Sequence, residues 1–250
     1  MFDAKRVKDN LVLWIQNWFA CNGPNCNAIV GISGGKDSTV AAALCVEALG
    51  KDRVIGVLMP NGVQFDIKDA EAVVNHLQIR HAVVNIDKVF NACLDNVIQA
   101  TGTITQSNHG YSEQACINLP PRLRMTTLYA ISQSMNGRVV CTDNLSEFYI
   151  GYSTRWGDNV GDFCPLLNLT SDEVMAIGDV LGLPYYLVHK TPFDGLCGKT
   201  DEDNFGFTYK ILNNYIRTGV CEEEEIKKKI DALYMRNRFK REPIPSFQYP

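Results

Sequence analysis

The stretch Ile29-Val30-Gly31-Ile32-Ser33-Gly34-Gly35-Lys36-Asp37-Ser38-Thr39 constrains the fold more than any other part of the chain. An apolar run stops at a Ser-Gly-Gly turn. An acid and two hydroxyls follow, and Val40-Ala41-Ala42-Ala43-Leu44 reads as helix. Strand, glycine loop and helix N-terminus in that order suit a phosphate group, because glycines let the backbone approach and the first helical N–H groups face the anion. The Walker pattern needs four residues between its glycines and then Gly-Lys-Ser/Thr, so this loop is of another kind. Asp37 puts a carboxylate beside the phosphate cradle, an arrangement that calls for a bridging Mg²⁺.

Around this unit, strands alternate with helices. The pattern predicts helices over 4–20, 36–49, 66–77 and 87–99, and strands over 27–32, 53–59 and 81–86. The fourth strand and its exit span 137–144, and a helix opened by Pro120 and Pro121 precedes it. The expectation is an α/β fold, a doubly wound parallel sheet of about five strands with helices on both faces. Ligands in such folds lie outside the carboxyl ends of the strands, where the strand order reverses. With 250 residues and no convincing linker, one domain over 1–250 is expected.

Composition excludes several classes. A net charge of −4 provides no general basic face for nucleic acid. No run approaches the ~18 apolar residues of a membrane span. Nine cysteines without close paired spacing read as reduced, cytosolic thiols rather than a disulfide or metal–thiolate framework. In the N-terminal helix, Leu11, Trp14, Ile15 and Trp18 share one face, which can serve the chain's own core or a subunit contact.

Several polar groups are candidates for chemistry. Residues 100–118 read as a polar loop with His109 in it, and 197–207 as a second polar cover. Arg122 and Arg124 are either phosphate ligands or surface arginines. Thr142 and Glu147 follow the fourth strand, where ligand groups belong. Asp158 and Asp162 lie in a Gly/Asp loop and serve either a metal, ribose hydroxyls or a turn. Thr170-Ser171-Asp172-Glu173 is a helix start with acids in its first turn. Glu222–Lys229 sets up i,i+4 Glu–Lys pairs on a solvated helix face.

Ser33-Gly34-Gly35-Lys36-Asp37-Ser38 resembles the SGGxDS loop of the ATP pyrophosphatase family, ligases that split ATP into AMP and pyrophosphate. The resemblance narrows downstream. Arg122-Leu123-Arg124-Met125, Cys141-Thr142-Asp143 with Glu147 and Gly151, Arg155-Trp156-Gly157-Asp158 with Asp162 and Pro165-Leu166, Gly206-Phe207-Thr208-Tyr209, and Lys240-Arg241 with Pro243 fall in the order of ammonia-dependent NAD synthetases. It covers residues 5–250.

That resemblance implies an adenine nucleotide alpha hydrolase-like fold and ATP-dependent amidation of deamido-NAD by ammonia, through an adenylated carboxylate. It implies that Gly31, Ile32, Ser33, Gly34, Gly35, Lys36, Asp37, Ser38, Thr142 and Ser171 contact ATP, with Lys36 and Asp37 catalytic. Asp37 and Glu147 would hold Mg²⁺, and Arg122, Arg155, Asp162 and Lys240 would contact deamido-NAD. It further implies a cytoplasmic homodimer without the amidase domain of glutamine-dependent relatives. The chain departs from the family pattern at Asn144 and Phe239, where histidine is common, at Ser171, where lysine is common, and at Phe193, where a hydroxyl residue is common.

Overall fold

In a computed structural model of the chain, which describes residues 2–64, 67–105, 111–190 and 200–249, the Ser-Gly-Gly turn separates a strand from a helix. Four strands, β1 (Asn27–Gly31), β2 (Val54–Leu58), β3 (Arg80–Val83) and β4 (Gly137–Val139), form one parallel sheet in the order β3-β2-β1-β4. The chain steps from β1 outward to β2 and β3, then returns to place β4 on the other side of β1. The order therefore reverses between β1 and β4, and their carboxyl ends flank the crevice where such folds bind ligands.

Twelve helices complete the described residues: α1 (Ala4–Asn22), α2 (Lys36–Leu49), α3 (Ile67–Leu77), α4 (Asp87–Thr105), α5 (Glu113–Ser134), α6 (Leu145–Ile150), α7 (Ser171–Val180), α8 (Tyr185–Val188), α9 (Asp201–Phe205), α10 (Tyr209–Thr218), α11 (Glu224–Arg236) and α12 (Arg238–Arg241). Period-two alternation splits the strands between two apolar layers. Ala28, Val30, Val54 and Leu58 pack with residues of α1, α2, α3 and α7. Ile29, Ile55 and Val57 pack on the opposite face with Leu123, Leu128 and Ile131 of α5. Each fully buried Ile or Leu here contributes about 2 kcal/mol of transfer free energy. Gly56 keeps the first layer close, since a Cβ there would lie 2.9 Å from Val74 Cγ1.

The N-terminal helix packs on its own core. Ile15 and Phe19 of α1 are buried, and Trp18 stacks on Phe163 at 4.6 Å between ring centroids. Trp14 stays 42% exposed, so this face serves the fold first.

Three expectations are corrected. Among the described residues the sheet has four strands where about five were expected, and Val140 and Phe163 form only an isolated parallel bridge. Gly161 packs against the Cys141 backbone, and Pro165 has no N–H to continue a ladder. The polar segment 100–118 is largely helical, because α4 runs to Thr105 and α5 begins at Glu113, capped by Ser112 Oγ accepting from Ala115 N at 3.2 Å. Pro120 and Pro121 therefore sit inside α5 rather than opening it; burial against the sheet outweighs the lost backbone bonds. On α11 the pairs that form are Glu225–Lys228 at 2.9 Å and Lys227–Asp231 at 3.2 Å. His109, Phe193 and 197–199 lie outside the described residues.

Candidate active site

The Ser33–Ser38 loop is closed by its own hydroxyls. Ser33 N donates to Ser38 Oγ at 3.3 Å, the two Oγ atoms lie 3.1 Å apart, and Gly35 N donates to Ser33 Oγ at 3.2 Å. Thr39 Oγ1 donates to Gly35 O at 2.7 Å and ties the loop to the first turn of α2. Gly34 has φ +80°, and a Cβ there would lie 2.7 Å from Asp69 Cβ, so the position requires glycine.

The loop forms one wall of a cavity of about 420 Å³. Opposite walls come from Met59 and Pro60 after β2, from Pro121, Arg124 and Leu128 of α5, and from Thr142, Asp143 and Glu147 after β4. That volume is within the ~300–1,000 Å³ of small-molecule sites. Arg124 Nε donates to Met59 O at 3.0 Å, which fixes the side chain against this wall.

Inside the cavity one ammonium meets several carboxylates. Lys36 Nζ donates to Asp37 Oδ2 at 2.8 Å and lies 3.7 Å from Glu147 Oε1. Asn144 caps α6 by accepting from Glu147 N at 3.1 Å, and its Nδ2 donates to Asp37 Oδ1 at 3.0 Å. One side chain thus couples the start of α2 to the start of α6. Tyr209 Oη shares its proton between Asp201 Oδ2 at 3.1 Å and Glu147 Oε1 at 3.3 Å.

The protonation balance follows from burial and charge. Burial alone would lower the Lys36 value, but Asp37 and Glu147 overcome it and hold the ammonium charged. Glu147 is pushed up to about 8, first by burial and then by the negative charge of Asp37. Burial, then Glu147 and Asp201, also raises the Tyr209 phenol, so it stays a donor.

The carboxylates around Lys36 outnumber it, an excess that a bound proton or an added cation would balance. Asp37 and Glu147 both face the cavity next to the loop. Among the described residues, no three His, Cys, Asp or Glu side chains group closely enough to hold a metal by themselves. This donor set fits Mg²⁺, which takes one or two carboxylates and completes its shell with substrate phosphates and water.

Of the other candidates, Arg122 Nε donates to Arg155 O at 3.3 Å, outside the cavity wall. The Arg155 guanidinium lies between the rings of Trp156 (4.9 Å) and Phe239 (5.3 Å). Phe239, the noted departure from a common histidine, thus packs against the Arg155 guanidinium. Trp156 itself has φ +63°, a rare backbone for a bulky residue, set by its N–H donating to Asn159 Oδ1 at 3.1 Å. Asp162 Oδ2 accepts from Val139 N at 2.7 Å, and Lys240 Nζ donates to Gly151 O and Ser153 O, each at 2.7 Å. Ser171 is not on the cavity wall. It is buried behind α6, with Ser171 N donating to Ser146 Oγ at 3.0 Å and Asn213 Nδ2 donating to Ser171 Oγ at 3.0 Å. Lys190 does line the cavity and pairs with Asp69.

Comparison with known proteins accounts for this arrangement. The model of the NAD synthase family matches residues 7–244. The chain belongs to the NAD synthase family. The ammonia-dependent NAD synthetase of Thermococcus sibiricus is 39% identical over 215 residues, covering 86% of this chain and 80% of that protein. That of Alkaliphilus metalliredigens is 34% identical and covers 95% of this chain and 97% of its own. Among solved structures, an NMN synthetase from Francisella tularensis superposes with a TM-score of 0.89 at 31% identity, covering 100% of both chains. The curated relatives are ammonia-dependent NAD synthetases, and this chain is an enzyme of the NAD synthase family.

Sequence reading missed Tyr209 and Asp201 as neighbours of Glu147. Their local signals, a capping-box start at Thr200 and an aromatic after Gly206-Phe207-Thr208, describe helix ends and carry no indication of that contact.

Proposed function

We propose that this NAD synthase binds ATP along Gly31–Ser38, that Asp37 and Glu147 would hold Mg²⁺, which would neutralise phosphate charge, and that the enzyme joins ammonia to the nicotinate carboxylate of deamido-NAD. The observation that carries this reading is the Lys36–Asp37–Glu147 cluster on the cavity wall beside the glycine loop.

A carboxylate cannot expel oxide, so its oxygen attacks the α-phosphorus of ATP and pyrophosphate leaves. Ammonia then attacks the carbonyl of the adenylate, and AMP leaves. Bound Mg²⁺ supplies charge neutralisation at the phosphates. Lys36 meets negative charge developing on the pyrophosphate, with the loop N–H groups and the start of α2 behind it. Asn144 keeps Asp37 aimed into the cavity while it carries the N-terminus of α6. Thr142 follows β4 and lines the ATP side. Arg122, Arg155, Asp162 and Lys240, none of which lines the cavity itself, are assigned to the deamido-NAD substrate. The chain is read as a cytoplasmic homodimer that takes ammonia, free or delivered by another protein; the absence of disulfides among the described cysteines and the exposed Met235 and Phe239 support that reading.

A second reading concerns the substrate alone. The superposition on an NMN synthetase spans both chains completely, which favours nicotinate mononucleotide as the acid. Incubating the enzyme with Mg-ATP, ammonium and either acid decides both points. NAD, AMP and pyrophosphate in equal amounts support the first; a kcat/KM at least tenfold higher for the mononucleotide selects the second. Absence of both amides refutes the proposal.

A further inference from the structure

Two thiols behind the cavity wall take no part in the chemistry above. Cys141 follows β4, immediately before Thr142, and is buried. Cys164 is partly exposed, and both are free thiols. They are distant in sequence but meet through the backbone. Val140 and Phe163 form a parallel bridge, and Cys141 N donates to Phe163 O at 2.9 Å. The next residue on each of these two segments is a cysteine. Parallel neighbours lie about 4.8 Å apart, and a disulfide spans Cα atoms ~4.4–6.8 Å apart. The side chains already meet: the Cys141 thiol hydrogen-bonds to Cys164, and Cys164 Sγ donates to Asp143 O at 3.5 Å.

The two sulfurs differ in reactivity. The hydrogen bond to Cys164, then burial, push the Cys141 thiol up, so it stays protonated. Cys164 keeps contact with solvent and is the sulfur that meets an oxidant first. Once Cys164 is held in a mixed disulfide it carries no charge, and the leading cause that keeps Cys141 protonated is removed.

Joining the two sulfurs would be felt on the cavity wall. A Cβ at Gly161 would lie 2.4 Å from Cys141 N, so the two backbones are in contact and Cys141 has little room to shift. Drawing the sulfurs from hydrogen-bond distance to a bond of ~2.05 Å pulls on the residues that follow Cys141. Those residues are Thr142 and Asp143, both on the cavity wall, and Asp143 O also loses its Cys164 donor. The closed loop 142–163 carries Glu147, Arg155 and Asp162 as well.

We infer that Cys141 and Cys164 form a reversible redox site whose oxidation by a small-molecule disulfide impairs the ATP side of the cavity. The Cys164 thiolate attacks one sulfur of that disulfide, the S–S bond breaks, and one small thiol leaves with the electron pair and a proton. The Cys141 thiolate then attacks the Cys164 sulfur, and the second small thiol leaves in the same way. Two protein thiols become one disulfide, and one small disulfide is reduced to two thiols. A dithiol reverses both steps.

Oxidised glutathione is the probe, applied to the parent protein, Cys164→Ser and Cys141→Ala, with remaining thiols then blocked and peptides mapped by mass spectrometry. The parent should yield a Cys141–Cys164 linked peptide. Its kcat/KM for ATP should fall about tenfold or more, since small misplacements at a site are costly, and dithiothreitol should restore it. Cys141→Ala should stop at glutathione bound to Cys164. Cys164→Ser keeps a donor for Asp143 O, and oxidised glutathione should leave its kcat/KM within about twofold of the untreated variant. An equal loss in Cys164→Ser overturns the inference, because another cysteine then causes it. A parent that forms no such link, or that forms it with kcat/KM unchanged, overturns it as well. The linked peptide is read in the unmodified protein and does not depend on the variants folding. The kinetic readout rests on the amidation proposed above, and a reduced parent without activity would count against that reading, whereas the linked peptide tests the thiol pair alone.

Discussion

Replacing Glu147 with glutamine should raise stability while it removes activity, and the two effects separate by pH. Glu147 has its value raised to about 8 from an ordinary 4.5, first by burial. Between those values the folded chain holds a proton that the unfolded chain has released, so stability falls as pH rises through that window. The penalty is absent below the unfolded value and complete above the folded one. At about 1.4 kcal/mol per pH unit, its ceiling is about 5 kcal/mol. Glutamine escapes that penalty but gives up the attraction to Lys36 at 3.7 Å. A net gain of about 2–3 kcal/mol is expected at pH 8.5, and about zero at pH 5, where the parent side chain is itself neutral. Urea unfolding of both proteins at the two pH values, without nucleotide or divalent cation, measures the difference. Pyrophosphate release by the variant should fall at least about 100-fold, as when a charge-stabilising group is lost. A variant less stable than the parent at pH 8.5, or one offset equally at both pH values, would refute the assignment of Glu147 as a strained buried acid.

Asn213→Ala should cost about 2–4 kcal/mol in the same urea assay, because Ser146 and Ser171 lose the partner that bridges them at 2.5 and 3.0 Å, while KM for ATP changes little. Gly34→Ala should lower kcat/KM for ATP about tenfold or more through left-handed strain of about 1–2 kcal/mol and a Cβ 2.8 Å from Ala70 N, and normal kinetics would show that the loop rearranges freely. Chelation with EDTA should abolish turnover and the rise in Tm caused by ATP, and Mg²⁺ should restore both; turnover that survives chelation would remove Asp37 and Glu147 as metal ligands.

How far the site could be read in advance depended on distance along the chain. The loop is a contiguous run, and its geometry follows from residues within five positions of one another, as the Ser33–Ser38 contact shows. The sheet layers were legible for the same reason, since alternation along β1 and β2 is local. The helical state of 100–105 and 113–118 was hidden because polar residues and two prolines speak against a helix, and only packing of α5 on Ile29 and Val57 outweighs them.

The Ser33–Ser38 loop, its strand and its helix, and their place at a strand's carboxyl end, were determined by sequence alone. Backbone conformation there answers to near neighbours: glycine at positive φ, hydroxyls reaching the next turn, acids at a helix start. Tertiary structure alone decided which carboxylates share Lys36, that Ser171 is buried behind α6 and away from the cavity, and that Asp143 is buried with no hydrogen bond to its Oδ2 among the described residues. Those outcomes depend on the separation of groups far apart in the chain, such as Asn144 from Asp37 or Tyr209 from Glu147. Electrostatic energy varies with that separation and with burial, and neither quantity exists until the chain has folded.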